Sequence, residues 1–288
     1  MSIIELLKYI LLGFVQGVTE VLPISSSGHV AIFQQILNVR ADEGFLFLIL
    51  INFGSLISIL LYFRKLIFHY ISSFIYYIFV PSSRNDTNEG FYVVIKIFIG
   101  IIPAAFVGYF VASTVDAFYQ NYYLLIVGAG LLFTATVLYL VRNKSSVNGR
   151  QTITFQDAFF IGVFQTLAIV PGISRSGITT SSGLHRKMSM ETALNFSFML
   201  YIPLSIGSFL RYILHVVNLD DLTLLGINPS EPYQIIYYIA AMISSLLATW
   251  FSLKFMYILY RRGKLLPFAL YTFAIGLFVF LIGIVTYI

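Results

Sequence analysis

The segment Gln16–His29 carries the first residues whose types and spacing suggest chemistry. Gln16 and Glu20 are four residues apart, so they share one face of a helix. A carboxylate inside apolar sequence is costly and usually faces a cavity with a partner, although an ordinary interfacial glutamate is the alternative. We interpret Glu20, with Gln16, as ligands of a hard divalent cation, Mg²⁺ or Ca²⁺, that also contacts substrate phosphate oxygens.

The serine-rich run after Pro23 is the second suggestive feature. Pro23 ends the first helix, and the start of the next leaves backbone N–H groups and the positive end of a helix dipole free to attract an anion. Ser26 and His29 are three residues apart on that helix, close enough to pair. His29 could act as a base or as the nucleophile, and the spacing does not choose between these roles. The predicted anion-binding residues of this run are Ser25, Ser27 and Gly28.

A second segment, Gln165–Thr180, repeats this design after Pro171. Its distinguishing residue is Arg175, whose planar guanidinium suits bidentate contact with phosphate; the alternative is that it only satisfies backbone carbonyls. The residues predicted to bind substrate beside it are Ser174, Ser176, Gly177 and Thr179.

The two segments are copies of one another. A shift of 149 residues superimposes seven of sixteen positions from Gly13 to Gly28 without a gap. Two of the positions at which the copies differ carry the predicted chemistry. Ile169 stands at the position of Glu20, and Arg175 stands at the position of Ser26. The acid and the cation are therefore divided between the halves, which suggests one asymmetric ligand held between them.

The composition indicates the environment in which these segments lie. Of 288 residues, 59% are apolar and 10% are charged, which favours a lipid bilayer over water as the solvent. The formal charge of +5 comes from basic residues in short loops, so we expect no nucleic-acid partner. The chain has no cysteine, which excludes disulfides, thiolate catalysis and cysteine-bound metals.

Six apolar runs are long enough to cross a membrane that requires about 20 helical residues. Leu66–Val80 is shorter and is predicted to lie along the interface. Arginines and lysines cluster in alternate loops, which should be cytoplasmic. The other loops should face outside. Ser113–Asn121 and Val216–Pro232 have no Lys or Arg, and Asn38–Gly44 carries Arg40 as the one contrary charge. The six predicted spans are 45–63, 91–112, 122–141, 192–214, 233–260 and 267–287.

The two polar segments each interrupt an apolar stretch, which predicts two re-entrant hairpins of broken helices. The second should enter from the cytoplasmic side and the first from outside. This arrangement indicates an inverted-topology repeat. We therefore expect an all-α polytopic membrane protein, a single domain over 1–288, with about six transmembrane helices, two re-entrant hairpins and repeats of roughly 1–141 and 150–288.

Gln16–His29 and Pro171–Thr179 together closely resemble the paired motifs of the undecaprenyl-pyrophosphate phosphatase family of bacitracin-resistance proteins. The likeness covers the whole chain. It implies hydrolysis of a C55 polyprenyl pyrophosphate lipid to the monophosphate carrier and inorganic phosphate, which recycles the carrier for cell-wall synthesis. It also implies metal dependence and a multi-pass protein of the bacterial cytoplasmic membrane, with the active site open to the outer face.

The resemblance places the acidic pair on Gln16 and Glu20, the serine–histidine run on Ser25–His29 and the arginine motif on Ser174–Thr179. The catalytic residues would be Glu20, Ser26, His29 and Arg175. The chain departs from the family pattern at Gln16, which leaves one carboxylate in the pair, and at Leu48, where the pattern has a glutamate. Both departures bear on metal binding.

Two other functions remain to be weighed. Inverted repeats with broken helices are typical of transporters, so a transporter or flippase of prenyl phosphate lipids is the alternative. A phosphatase of the acid phosphatase-like lipid family shares the Ser-Gly-His triplet, but Ser181 stands where its second histidine is expected. The oligomeric state is left open, a homodimer included.

Overall fold

A computed structural model describes residues 2–39, 45–144, 149–217, 233–261 and 264–287. These residues form helices and no strand, and we number the eleven α-helices in chain order. They are α1 (Ile3–Val21), α2 (Ser26–Ile36), α3 (Phe45–Tyr62), α4 (Arg64–Phe79), α5 (Arg84–Asn121), α6 (Tyr123–Val141), α7 (Phe155–Gln165), α8 (Arg175–His185), α9 (Met190–Val217), α10 (Gln234–Arg261) and α11 (Leu266–Tyr287).

The long apolar helices confirm an all-α polytopic membrane protein. Within the described ranges, five helices are long and apolar enough to span a membrane, and a sixth span results if α3 and α4 are counted together. The axes of α3 and α4 differ by 73°. The predicted position of Leu66–Val80 along the interface stays a prediction.

Two predicted loop segments are helical instead. α5 begins at Arg84 rather than at residue 91, and it continues through Ser113–Asn121, which was predicted to be an outer loop. The reason is local, since Ser113–Asn121 contains neither glycine nor proline to end the helix. The predicted loop residues 40–44 and 218–232 lie outside the described residues.

The second hairpin, α7 with α8, begins and ends on the same side of the protein. Asp157 in the first turn of α7 is fully buried and contacts two arginines, Arg150 Nη2 at 2.6 Å and Arg186 Nε at 2.8 Å, the latter directly after α8. Thr154 caps α7 in a reciprocal capping box with Asp157. These contacts hold the two ends of the hairpin together, as a re-entrant segment requires.

The first hairpin, α1 with α2, closes in the same way through apolar contacts. Tyr9 and Leu12 of α1 form one buried cluster with Val39, which follows α2, and with Tyr238 at the start of α10. The backbone N–H of Ser2 also donates to Tyr237 Oη at 2.9 Å. The start of α1 and the end of α2 therefore lie at one end of the molecule, beside the start of α10.

Each hairpin packs on a long helix through a close backbone approach. A Cβ on Gly13 of α1 would lie 2.0 Å from the carbonyl oxygen of Ala241 of α10, and a Cβ on Gly162 of α7 would lie 2.4 Å from that of Gly100 of α5. The same shift of 149 residues places Arg84, the first residue of α5, over Tyr233, which directly precedes α10. α5 and α10 are therefore equivalent helices of the two halves. Each hairpin thus packs on the long helix of the other half. The repeat limits 1–141 and 150–288 stay a prediction.

Candidate functional site

The tips of the two hairpins touch one another. A Cβ on Gly28 of α2 would lie 3.4 Å from Gly172 Cα, and a Cβ on Gly177 of α8 would lie 3.2 Å from the carbonyl oxygen of Pro23. Ser176 Oγ of the second tip also donates to the carbonyl oxygen of Leu22 in the first, at 3.2 Å. The contact brings the N-termini of α2 and α8 together, as the sequence predicts.

The first tip contains a strained backbone conformation. Ser25 has φ 71°, in the left-handed region that non-glycine residues rarely adopt. Its Oγ accepts a hydrogen bond from the backbone N–H of Gly28 at 3.2 Å and lies 3.3 Å from Ser27 Oγ. This capping bond uses one free N–H group of α2, and the unusual Ser25 conformation directs the chain from the break into the helix.

The second tip has the same cap and is anchored by α6. Ser174 Oγ accepts from the backbone N–H of Gly177 at 3.1 Å. Thr134 Oγ1 of α6 accepts from the N–H of Ser174 at 2.9 Å and donates to the carbonyl oxygen of Gly172 at 3.1 Å. Gly172 supplies the positive φ of this turn, 91°, so Ser174 itself stays in the extended region. One hydroxyl of α6 therefore fixes the turn that leads into Arg175.

Glu20 lies at the centre of the site and joins the two hairpins. It is 6% exposed, and both of its carboxylate oxygens are engaged. Oε1 accepts from Arg175 Nη2 at 2.5 Å, while Oε2 accepts from Ser26 Oγ at 2.5 Å and from Gln16 Nε2 at 2.8 Å. The predicted acid, Glu20, is thus in direct contact with the hydroxyl of Ser26 and with the guanidinium of Arg175.

Residues of two further helices hold these groups in place. Gln16 Nε2 also donates to Asn52 Oδ1 of α3 at 2.9 Å, and Asn52 Nδ2 donates to the carbonyl oxygen of Leu48 at 2.7 Å. The guanidinium of Arg175 lies 3.8 Å from the ring centroid of Tyr201 of α9, a cation–π contact. Glu20 and Arg175 are therefore each supported by a residue of a neighbouring span.

A cavity of about 420 Å³ opens above these groups. Its polar wall comes from both hairpin tips, and its apolar wall comes from α3, α5 and α9. The predicted site residues on the cavity wall are Glu20, Ser25, Ser26, Ser27, Ser174, Arg175 and Ser176. This volume and its mixture of polar and apolar walls suit the charged head of an amphipathic ligand.

Four predicted site residues lie behind the wall instead. Gln16 holds Glu20 from behind, and Gly28 and Gly177 form the contact between the tips. Thr179 Oγ1 donates to the carbonyl oxygen of Arg175 at 2.8 Å and lies 2.6 Å from Ser197 Oγ. These residues support the groups that line the cavity.

His29 is also turned away from the cavity. It is 3% exposed, and its Nδ1 lies 2.8 Å from the carbonyl oxygen of Ser25, to which it must donate because a carbonyl can only accept. Its Nε2 lies 3.0 Å from Tyr271 Oη of α11, and the two rings stack. The expected pair between Ser26 and His29 is therefore not formed, because both ring nitrogens are used elsewhere and Ser26 donates to Glu20.

The oxygen atoms around Glu20 fit a hard divalent cation. In the part of the chain that the structure describes, no group of three His, Cys, Asp or Glu residues could hold a metal ion by itself. The Glu20 carboxylate is instead contacted by the amide of Gln16 and the hydroxyl of Ser26, and the amide of Gln16 also contacts that of Asn52. Mg²⁺ is commonly bound by one or two carboxylates, with substrate phosphates supplying the remaining ligands, so the single carboxylate of Glu20 is compatible with such an ion.

Several residues of the site had weak signals in the sequence. An asparagine inside an apolar span can line a cavity or form a hydrogen bond between helices, and Asn52 does both, since it is on the cavity wall and accepts from Gln16 of α1. Tyr201 and Tyr271 were missed because an aromatic residue within a span normally packs against lipid. Gln165 was found only as the partner of Gln16 in the repeat, and it also lines the cavity.

Comparisons with known proteins show which family the chain resembles along almost its whole length. The model of the family described as bacitracin resistance protein BacA matches residues 9–278. The chain is 36% identical to undecaprenyl-diphosphatase 1 of Bacillus licheniformis over 96% of this chain and 98% of the relative. It is 34% identical to undecaprenyl-diphosphatase 1 of Bacillus cereus over 94% and 95% of the two chains. It is also 34% identical to an undecaprenyl-diphosphatase of Oceanobacillus iheyensis over 95% of each chain.

Proposed function

Because this chain belongs to the family of the bacitracin resistance protein BacA, we propose that the cavity between its hairpins is the place where undecaprenyl diphosphate is hydrolysed. The chain is a polyprenyl diphosphate phosphatase that releases inorganic phosphate and undecaprenyl phosphate. This reaction recycles the lipid carrier and gives bacitracin resistance.

The observation that carries the proposed site is the contact of Glu20 with both Ser26 and Arg175. A serine hydroxyl that donates to a carboxylate is arranged as a nucleophile with its base. The guanidinium comes from the opposite hairpin, and it can bind phosphoryl oxygens through two parallel N–H groups. One side of the site thus supplies the attacking oxygen and the other supplies positive charge.

Ser26 is the nucleophile in this proposal. Its Oγ forms a bond to the terminal phosphorus, and its proton passes to Glu20. The bond from that phosphorus to the bridging oxygen breaks, and undecaprenyl phosphate leaves with the bonding electron pair. The proton on Glu20 passes to the departing undecaprenyl phosphate. Water then attacks the phosphorus of the phosphoserine and gives a proton to Glu20. The bond from that phosphorus to Ser26 Oγ breaks, and Ser26 Oγ takes the proton back from Glu20 as inorganic phosphate is released.

Arg175 and the two helix N-termini stabilise the negative charge of the transferring phosphoryl group. Phosphoryl transfer depends mainly on positioning and electrostatic stabilisation, so preorganised donors contribute most of the catalysis. The backbone N–H groups at the starts of α2 and α8 face the same place from two directions. The ion pair of Arg175 with Glu20 keeps the guanidinium in position until phosphate oxygens replace the carboxylate.

We assign His29 a positioning role. Its Nδ1–H holds the carbonyl oxygen of Ser25, the residue with the strained backbone, directly before the nucleophile Ser26. Strained residues of this kind persist only where surrounding contacts fix them. Tyr271 holds the other ring nitrogen and so fixes the orientation of the imidazole.

A divalent cation, Mg²⁺ or Ca²⁺, belongs to this proposal. Glu20 would hold it together with the side-chain amide oxygens of Gln16 and Asn52. When bound, the ion would neutralise part of the diphosphate charge. Asn52 of α3, which contacts Gln16, would add an oxygen donor and so offset the two departures from the family pattern at Gln16 and Leu48.

The charge distribution supports a cavity that opens to the outer face of the bacterial cytoplasmic membrane. α5 starts at Arg84 beside α7, at the end of the molecule that also carries Arg150 and Arg186. The cavity is lined by later residues of α5 and α9, such as Gly108 and Phe209, towards the opposite end. Basic residues mark the cytoplasmic side, so the opposite end is the outer one.

The apolar wall offers a path for the prenyl chain. Gly108 of α5 lines the cavity, and a Cβ added to it would meet no atom within 4 Å. Phe106 and Phe110 beside it are 64% and 61% exposed, as expected for residues facing lipid. The prenyl chain would leave the cavity at this point of α5, with the diphosphate held at the hairpin tips.

The test is phosphate release from undecaprenyl diphosphate by purified protein in detergent. Ser26→Ala, Glu20→Gln and Arg175→Ala should each lower kcat by at least about a hundredfold. Ser72→Ala and Arg142→Ala are matched controls, because both residues make their hydrogen bonds at exposed positions. Undiminished rates in folded site variants would refute the assignment. Detergent removes any gradient, so binding without phosphate release by the unaltered protein would favour the transporter or flippase instead.

A further inference from the structure

Gln165 has a buried carboxamide that no other described residue contacts by a hydrogen bond. The residue is 3% exposed, and among the described residues neither its Nε2 nor its Oε1 has a hydrogen-bond partner. A buried polar group without a partner loses its hydration and gains nothing in return. A carboxamide whose nitrogen and oxygen both lack a partner is therefore expected where a bound ligand supplies the missing hydrogen bonds.

Gln165 lines the cavity at which the reaction is proposed, and the polar atoms of its carboxamide are buried in the cavity wall. Gln165 is the last residue of α7, and it lines the cavity together with Arg175, Ser174 and Ser176 of the same hairpin. Hydrogen-bond donors of this hairpin thus border one part of the cavity wall. The occupant that suits them is an anion with several oxygen acceptors.

The internal repeat indicates what the carboxamide would bind. The equivalent residue of the first hairpin is Gln16, whose Nε2 donates to the carboxylate of Glu20 one turn further along α1. In the second hairpin the residue equivalent to Glu20 is Ile169, which offers no acceptor. The Nε2 donor is retained in this half of the protein while its carboxylate partner is absent.

We propose that Gln165 binds the diphosphate of the substrate, with its Nε2–H₂ donating to a nonbridging phosphate oxygen. The substrate oxygen takes the place that the Glu20 carboxylate has beside Gln16. The equivalent carboxamides of the two hairpins thus bind different partners. Gln16 binds the base Glu20, and Gln165 binds the substrate anion. This inference rests on the proposed function of the cavity, and it adds a binding residue to that function.

The principal variant is Gln165→Met, which keeps the length of the side chain and removes its hydrogen-bonding groups. We expect kcat/KM for undecaprenyl diphosphate to fall by about ten- to a hundredfold, the usual effect of losing a hydrogen bond to a charged group. Inorganic phosphate, measured as a competitive inhibitor, should bind more weakly by a similar factor. Gln165→Glu should be less active than Gln165→Met because its carboxylate would repel the phosphate.

Thermal unfolding separates binding from a structural role. Without ligand, Gln165→Met should unfold at the same or a higher temperature than the unaltered protein, because it removes an unsatisfied buried polar group. Gln156→Leu is the control, since Gln156 is on the same helix and exposed. It should leave kcat/KM unchanged.

Two results would overturn the inference. One is an unchanged kcat/KM and phosphate inhibition constant in Gln165→Met, which would mean that the carboxamide holds only water. The other is a lower unfolding temperature with proportionate loss of all activity, which would mean a structural role. Neither result affects the proposed function, which fails if the unaltered protein releases no phosphate or if folded Ser26→Ala, Glu20→Gln or Arg175→Ala protein retains full activity.

Discussion

Replacing His29 gives a sharp test of how the first hairpin works. The proposed role of His29 is to position Ser25, because its Nδ1–H binds the carbonyl oxygen of Ser25 at 2.8 Å and His29 is not among the residues that line the cavity. His29→Asn retains an N–H donor at about the position of Nδ1. His29→Ala removes the donor and also the ring that stacks on Tyr271.

The expected magnitudes differ widely between the two roles. A single neutral hydrogen bond contributes about 0.5–1.5 kcal/mol, and about 1.36 kcal/mol corresponds to a tenfold change in rate. Loss of the Ser25 contact should therefore lower kcat by about two- to tenfold in His29→Ala, and His29→Asn should recover most of it. A general base contributes about a hundred- to ten-thousandfold, and removal of a nucleophile costs more.

Steady-state phosphate release at several pH values separates the two roles. We expect His29→Asn to keep the shape of the pH–rate profile, since no reacting group has been removed. A loss of more than about a thousandfold in a folded His29→Asn protein would refute our reasoning and return His29 to the reacting groups. Tyr271→Phe should behave like a mild form of His29→Ala, because it removes only the outer hydrogen bond.

Three further predictions concern packing, electrostatics and the metal. Gly130→Ala would place a Cβ 2.4 Å from the carbonyl oxygen of Pro171 and displace the second tip, so kcat should fall about a hundredfold, whereas Gly207→Ala, with open space around it, should be neutral in the same assay. Burial opposes ionisation of Asp157, but hydrogen bonds from Thr154 and two arginines outweigh it, so the pKa of Asp157 lies below its ordinary value of 3.8. The ionised carboxylate of Asp157 therefore stabilises the fold above about pH 3.8, and this stabilisation is lost as the pH falls through the lowered pKa. Asp157→Asn should lower the free energy of unfolding by about 1–2 kcal/mol at pH 7, less than for a fully buried pair because the arginines are partly exposed; thermal unfolding should show this difference shrinking in acid. A chelator should abolish phosphate release, and added Mg²⁺ or Ca²⁺ should restore it; full activity in the chelator would contradict the metal assignment.

Much of the fold follows from local sequence patterns. Apolar runs of sufficient length predict spans because the bilayer thickness fixes the length of a crossing helix, and the ends of α6, α10 and α11 lie within two residues of the predicted limits. The predicted limits of α5 were wrong at both ends, since the helix covers Arg84–Asn121 and the predicted span was 91–112. The residues before 91 are polar but still helical, and hydropathy reports contact with lipid rather than helix formation.

The candidate site was predictable where the chain repeats itself. Glu20, Ser26 and Arg175 were identified because polar residues in apolar sequence are costly and because the two copies differ at these positions. The direction in which His29 points could not be predicted. It depends on a contact with Tyr271, which is 242 residues away in the chain. A shift of one residue along α2 changes whether a side chain faces the cavity or the packed interior.

The stereochemical course at the terminal phosphorus distinguishes attack by Ser26 from direct attack by water. Undecaprenyl diphosphate whose terminal thiophosphate is made chiral with two oxygen isotopes would be hydrolysed by the unaltered protein in water that carries the third isotope. The configuration of the released thiophosphate would then be determined. Attack by Ser26 followed by attack of water comprises two in-line displacements, so the account predicts retention of configuration. Inversion would indicate a single direct attack by water, and it would contradict the role of Ser26 as the nucleophile.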